Sequence, residues 1–253
     1  MSHTMILTGA SRGIGASIAQ IYLSASSQHK LVAIARTKLA LDDLVAKYGD
    51  QVSIVVGDVS DSAVSAKAVQ VALEKYGSVD SLVANAGVLD PVDAVAKANV
   101  DKWKTLFDIN FFSVVELVRQ ALPLLKKSNG RVVAVSSGAS TKPYYGWAAY
   151  GASKAALNHF MELIASENSE VLAISVAPGV VATDMQKDIR EKFGSNMTPE
   201  SLQRFLDLHQ EGKLLAPEVP ATVYVNLAVR GWSKELNGHY YRVGEEALAE
   251  FEK

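Results

Sequence analysis

The sequence predicts an α/β fold, a parallel β-sheet with helices on both faces, and three observations predict it. Short apolar, β-branched runs alternate with longer helix-forming runs along the 253 residues, the pattern left by strands joined through helical crossovers. The first apolar run ends in a glycine-rich turn that opens directly into a helix-forming segment. The residues with chemical character gather at the ends of the apolar runs, and doubly wound sheets take their ligands outside the carboxyl ends of their strands. The length suits one domain spanning residues 1–253.

In order, TMILTG reads as the first strand and is followed by a helix from Gly13. LVAIAR is the second strand, with a helix from about Leu39, and QVSIVVGD the third, with a helix from Ser60. SLVANAG is the fourth strand and leads to a long helix from about Val100, which Pro123 is expected to kink or end early because it lacks an amide proton and crowds the preceding turn. RVVAVSS is the fifth strand; after a loop, WAAYGASKAALNHFMELIA forms a helix carrying Tyr150 in its second turn. VLAISVAPG is the sixth strand, and a helical stretch precedes a short last strand, HYYRV.

Composition excludes several classes of function. A formal net charge of -2 leaves no electrostatic footprint for nucleic acid or an anionic membrane. No apolar run reaches membrane-spanning length, and Met5-Ile6-Leu7 begins a strand with no charged leader before it, so a cytoplasmic protein is expected. The absence of cysteine removes disulfides, thiolate metal sites and thiol nucleophiles. Five scattered histidines form no HxxxH pair, and no metal site is expected.

The turn Thr8-Gly9-Ala10-Ser11-Arg12-Gly13-Ile14-Gly15 has the spacing Gly-x-x-x-Gly-x-Gly. Such glycines let the backbone approach a pyrophosphate, whose charge is favoured by the free amides and dipole of the helix N-terminus. A P-loop is excluded because no Lys-Ser/Thr follows. The second strand ends at Arg36 and Thr37, where a fold that binds NAD places a carboxylate for the ribose hydroxyls. Arg36, with Arg12, is expected instead to pair with a 2′-phosphate, which points to NADPH. Asp58 ends the third strand, placed to accept the adenine amino group, and the small turn Asn85-Ala86-Gly87 lets a cofactor lie against the backbone.

Tyr150 and Lys154 are helical i, i+4 neighbours, so a phenol and an ammonium share one face. The ammonium is expected to favour the phenolate and draw its pKa toward neutrality, letting Tyr150 exchange a proton with a carbonyl or alcohol oxygen. Ser137, at a strand end, can aim its hydroxyl at the same oxygen. The loop from Gly138 to Trp147 holds Pro143, Tyr144, Tyr145 and Trp147. These either wall a site for a flat aryl ketone or merely anchor the loop.

Taken together, TGASRGIG, NAG, Asn110, Ser137, YxxxK and Pro178-Gly179 resemble the short-chain dehydrogenase/reductase family, in the family's order from residue 8 to about residue 185. The resemblance implies a single Rossmann-type domain in which Gly9, Ser11, Arg12, Gly13, Ile14, Gly15, Asn85, Gly87, Pro178 and Val181 line the cofactor. It further implies that Tyr150 is the general acid, Lys154 also holds the nicotinamide ribose, Ser137 holds the substrate oxygen, Asn110 holds the water of a proton relay, and Thr183 bonds the nicotinamide carboxamide. Residues 184–214 would form the variable substrate lid, with Gly194 and Gly212 as hinges, and the chain would assemble as a homo-oligomer, dimer or tetramer.

Longer stretches, among them VSSGASTKPYYGWAAYGASKAALNHF and LLAPEVPATVY, are similar to the fungal benzil reductases that form (S)-benzoin and, more distantly, to the sepiapterin reductases. This resemblance implies NADPH-dependent reduction of one carbonyl of a 1,2-diketone. Two alternatives differ in recognisable features. A non-catalytic NADPH sensor would be expected to lose Tyr150 or Lys154, and a sugar or steroid alcohol dehydrogenase preferring NAD would carry an acid in place of Arg36.

Overall fold

The structure, a computed structural model, describes residues 2–253. Its centre is one seven-stranded sheet in the order β3-β2-β1-β4-β5-β6-β7, every neighbouring pair parallel. The strands are β1 (His3–Thr8), β2 (His29–Ala35), β3 (Val52–Val56), β4 (Ser81–Ala84), β5 (Arg131–Val135), β6 (Leu172–Ala177) and β7 (Tyr240–Arg242). Strand order reverses between β1 and β4, which opens a crevice at their carboxyl ends, as in other Rossmann-like sheets.

Helices α1 (Gly13–Ala25), α2 (Lys38–Tyr48), α3 (Ser62–Tyr76), α4 (Val100–Phe107), α5 (Ser113–Ser128), α6 (Ala148–Glu167), α7 (Asp184–Glu191), α8 (Pro199–Gln210) and α9 (Glu218–Arg230) surround it. Period-two alternation divides the strand side chains between two faces. Met5, Leu7, Leu31, Ala33 and Ile174 pack with Ile18 and Tyr22 of α1 and with Tyr224 and Leu227 of α9. Ile6, Val32, Leu82, Val132 and Ala173 pack with α3, α5 and α6 through Ala68, Leu117, Leu157 and Met161. A third apolar cluster lies beyond the sheet ends, where Ile189 of α7 and Phe205 of α8 meet Trp147 and Tyr150. No helix among the described residues is long and apolar enough to cross a membrane.

Four local expectations change. The third helix starts at Ser62 rather than Ser60, because Asp58 folds back to accept the Ser60 amide and hydroxyl while Asp61 caps α3 through the Ala63 amide. The long helix from Val100 is divided by a wide π-type turn at Asp108–Phe112. Pro123 does not end α5, which runs on to Ser128 and stops where Asn129 turns left-handed at φ 49°; its buried stripe of Leu117, Val118, Ala121 and Leu125 outweighs the missing amide. Finally, α6 begins at Ala148, so Tyr150 lies in its first turn, after a turn at Gly146 (φ 81°) in which the Trp147 amide bonds the Tyr144 carbonyl.

Candidate active site

A cleft of about 390 Å³ opens along the carboxyl ends of the strands. At one end the glycine turn leaves β1 with Gly9 at φ 70° and enters α1 at Gly13, φ 53°. No side chain caps α1 and no acid sits in its first turn, so its leading amides remain available to an anion. Gly9, Ser11, Arg12, Gly13 and Ile14 line the cleft. Gly15 does not: a Cβ there would stand 2.1 Å from the Gly9 carbonyl oxygen, so its role is to let α1 close against the turn. Asn85 fixes the same turn from β4, donating from Nδ2 to the Thr8 and Gly9 carbonyls at 2.9 and 3.1 Å.

Arg36 lies at the end of β2, its side chain 65% exposed and 3.8 Å from Asp58. Asp58 lines the cleft beside it; hydrogen bonds from the Ser60 amide and hydroxyl hold its carboxyl below the usual carboxylate range, against the opposing effect of burial. Arg12, expected beside Arg36, instead donates to Asp184 at 2.9 Å, tying the glycine turn to the start of α7.

At the other end of the cleft, Tyr150 and Lys154 project from α6, both buried. Burial raises the Tyr150 phenol above its ordinary value, opposed by a hydrogen bond with Ser137. Lys154 Nζ donates to the Val135 carbonyl at 2.7 Å and lies 5.9 Å from the centre of the Tyr150 ring. Burial lowers it from 10.5 to about 8. The expected drop of the phenol toward neutrality is therefore not the balance found here. With Lys154 itself desolvated, burial of Tyr150 dominates and keeps the phenol protonated.

Ser137 follows β5, and its Oγ also accepts the Ala139 amide at 3.1 Å. Asn110 is fully buried in the wide turn. Its Oδ1 accepts the Val88 amide at 2.8 Å, and its Nδ2 donates to the Val88 carbonyl and to Ser153 Oγ at 2.9 and 3.2 Å. The side chain thus pins the loop after β4. Gly87 lies in that loop, and a Cβ on it would stand 3.5 Å from Lys154 Nζ, so its bareness keeps the ammonium open to the cleft.

Pro178 and Thr183 line the cleft, with the Thr183 methyl 3.2 Å from where a Cβ on Gly13 would stand. Val181 is turned away, buried in an isolated bridge to Leu215. Trp147 stacks on Tyr144 at 4.9 Å and on Phe205 at 5.5 Å, and meets Tyr150 edge-on at 5.9 Å. Tyr145 is half exposed. Trp147 and Tyr144 therefore form a wall beside Tyr150 and also fasten the loop to α8. The sequence reading missed Ala35, Gly57, Val88, Ile109 and Met185, which line the cleft without belonging to any motif. Position alone marks Ala35 and Gly57, at the carboxyl ends of β2 and β3.

Comparison with known proteins agrees with this geometry. The profile of the short chain dehydrogenases matches residues 3–194. An uncharacterised oxidoreductase of Saccharomyces cerevisiae is 48% identical over 252 residues, covering 99% of each chain. The benzil reductase ((S)-benzoin forming) of the same yeast is 45% identical over 258 residues, covering 98% of each. The crystal structure of a short chain dehydrogenase/reductase from that organism superimposes with a TM-score of 0.98 at 47% identity, covering 100% of both chains. The chain belongs to the short-chain dehydrogenase/reductase family, whose members bind a nicotinamide cofactor, and is an oxidoreductase.

Proposed function

We propose that the protein is an NADPH-dependent carbonyl reductase that reduces one carbonyl of a 1,2-diketone such as benzil to the hydroxyketone (S)-benzoin. The observation that carries this reading is Tyr150 and Lys154 buried side by side on α6 at the cleft, with the Ser137 hydroxyl opposing the rise that burial imposes on the phenol. The relative named a benzil reductase, 45% identical along nearly its whole length, supports the substrate class.

The residues present fit a dinucleotide. The uncapped start of α1 suits its pyrophosphate, Asp58 its adenine, and Arg36 a 2′-phosphate, since no acid stands at the end of β2 to favour a bare ribose. Lys154, reached past Gly87, would hold the nicotinamide ribose, and Thr183 and Pro178 would flank the nicotinamide. When bound, the cofactor supplies a hydride to the carbonyl carbon. Ser137 holds the carbonyl oxygen. Tyr150, which burial keeps protonated, gives that oxygen its proton, so the carbonyl becomes an alcohol. Asn110 shapes the loop behind Lys154, through which the phenolate would be reprotonated.

Residues 184–214, including α7 and α8, would cover the substrate through Ile189 and Phe205 on the aromatic wall, within a single domain spanning 1–253. We place the protein in the cytoplasm as a homo-oligomer; exposed Phe112 beside α5 and Leu163 on α6 are apolar surface such an assembly would bury. The test is cofactor oxidation with benzil, using NADPH and NADH in parallel. Turnover with NADPH and little with NADH supports the proposal. NADPH binding without reduction of any carbonyl refutes it in favour of a sensor.

A further inference from the structure

Arg242 ends β7 and reaches between two loops of the site. Its Nη1 stands 3.7 Å from where a Cβ on Gly138 would be, and its Nη2 3.9 Å from the same point on Gly179. Gly138 directly follows Ser137, and Gly179 follows Pro178 of the cofactor cleft. Apart from its chain neighbours, the space beside Gly138 meets two atoms within 4 Å: Arg242 Nη1 and the Tyr144 hydroxyl, the latter at 3.9 Å. That hydroxyl also accepts a hydrogen bond from Arg204 Nη1 of α8 at 3.1 Å, and the Arg204 guanidinium lies over the Tyr144 ring at 5.6 Å.

Two guanidinium groups and a phenol thus gather beside Gly138, the residue after Ser137, and neither guanidinium has a carboxylate within ion-pair distance among the described residues. Glu245 meets Arg242 through its backbone amide, which bonds the Arg242 carbonyl. A partly buried guanidinium has lost water without gaining an anion, and its planar fork matches a carboxylate in charge and shape. The neighbouring wall of Tyr144 and Trp147 offers a flat apolar surface to the rest of a ligand.

We propose that Arg242, assisted by Arg204 and the Tyr144 hydroxyl, forms a carboxylate subsite, and that the substrates it serves are aryl keto acids whose carboxylate docks there while the ketone meets Ser137 and Tyr150. This rests on the carbonyl-reductase reading and narrows it. A neutral diketone fills the same space without using the charge, whereas a 2-oxo acid keeps the vicinal dicarbonyl and adds the anion.

The test compares benzoylformate with its methyl ester as substrates for the wild type, Arg242→Met and Arg242→Lys. The wild type prefers the acid in kcat/KM, and the acid-to-ester ratio falls at least about tenfold in Arg242→Met and recovers in part in Arg242→Lys, which keeps the charge. A smaller fall in Arg242→Met overturns the subsite. Thermal unfolding supplies a readout independent of turnover and shows whether the variant is folded: benzoylformate raises the midpoint of the wild type and not of Arg242→Met. Equal shifts for the two proteins overturn the proposal. If the wild type reduces none of benzil, ester and acid, the carbonyl-reductase reading fails, and the thermal shift still decides the subsite.

Discussion

Replacing Lys154 by methionine keeps the volume of the side chain in its buried slot and removes the charge. The lysine is lowered from 10.5 to about 8 by burial, a difference of ~3 kcal/mol against the ammonium at 1.36 kcal/mol per pH unit. Below pH 8 the lysine is charged in both folded and unfolded chains and that penalty is fully present. Between pH 8 and 10.5 the unfolded chain binds more protons than the folded one, so stability rises with pH, and above 10.5 the penalty is gone. The loss of the hydrogen bond to the Val135 carbonyl, about 1.5–3 kcal/mol for a charged donor, offsets the gain from removing the charge. At pH 7 the two proteins therefore differ by less than ~2 kcal/mol. The decisive quantity is the slope: the stability of the wild type minus that of Lys154→Met climbs by about 2.5 kcal/mol from pH 7.5 to 10. Urea unfolding across that range measures it. No thiol titrates in the same window, because the chain has no cysteine, and Tyr150 is raised above its ordinary value. Parallel curves for the two proteins would show that the lysine is better solvated than its burial implies and would refute the reasoning.

Tyr150→Phe is expected to lower kcat by about 10²–10⁴-fold, the range for loss of a positioned acid, while a fluorescence titration returns nearly the wild-type affinity for NADPH. Arg36→Ser is expected to lower the NADPH-to-NADH ratio of kcat/KM at least about tenfold, measured by cofactor oxidation at fixed substrate. Gly15→Ala sets a methyl 2.1 Å from the Gly9 carbonyl oxygen; overpacking of this kind costs about 1–3 kcal/mol, read from urea midpoints, and weakens cofactor binding in the same variant.

The succession of strands along the chain and the motif residues could be read in the sequence, because both are written in local pattern; the order of the strands within the sheet could not. Short apolar, β-branched runs mark β1, β2 and β5, the glycine turn and Ser137 sit next to such runs, and Tyr150 and Lys154 are marked by their i, i+4 spacing on a helix. What escaped was decided by distant partners. Nothing in Asp108-Ile109-Asn110-Phe111-Phe112 breaks a helix, yet Asn110 is held by both polar groups of the Val88 backbone, and the helix widens there. Pro123 reads as a stop only if the buried face of α5 is left out. The Arg12–Asp184 pair joins residues 172 positions apart, and Arg242 belongs to no motif, so neither leaves a local mark. The direction of the Tyr150 shift was missed for a related reason: spacing along a helix shows the lysine beside the tyrosine but not the desolvation of both.

The double anchor from Asn85 to Thr8 and Gly9 has a consequence for how the protein is made. A chain emerging from the ribosome presents the glycine turn long before the fourth strand, and until that strand docks against the first, the turn lacks the amide that holds two of its carbonyls. The dinucleotide site therefore matures with the central pair of the sheet and not with the segment that carries its fingerprint. With four of the seven strands made once β4 has emerged, the turn is braced for a dinucleotide while β5, β6 and β7 are still to join the sheet.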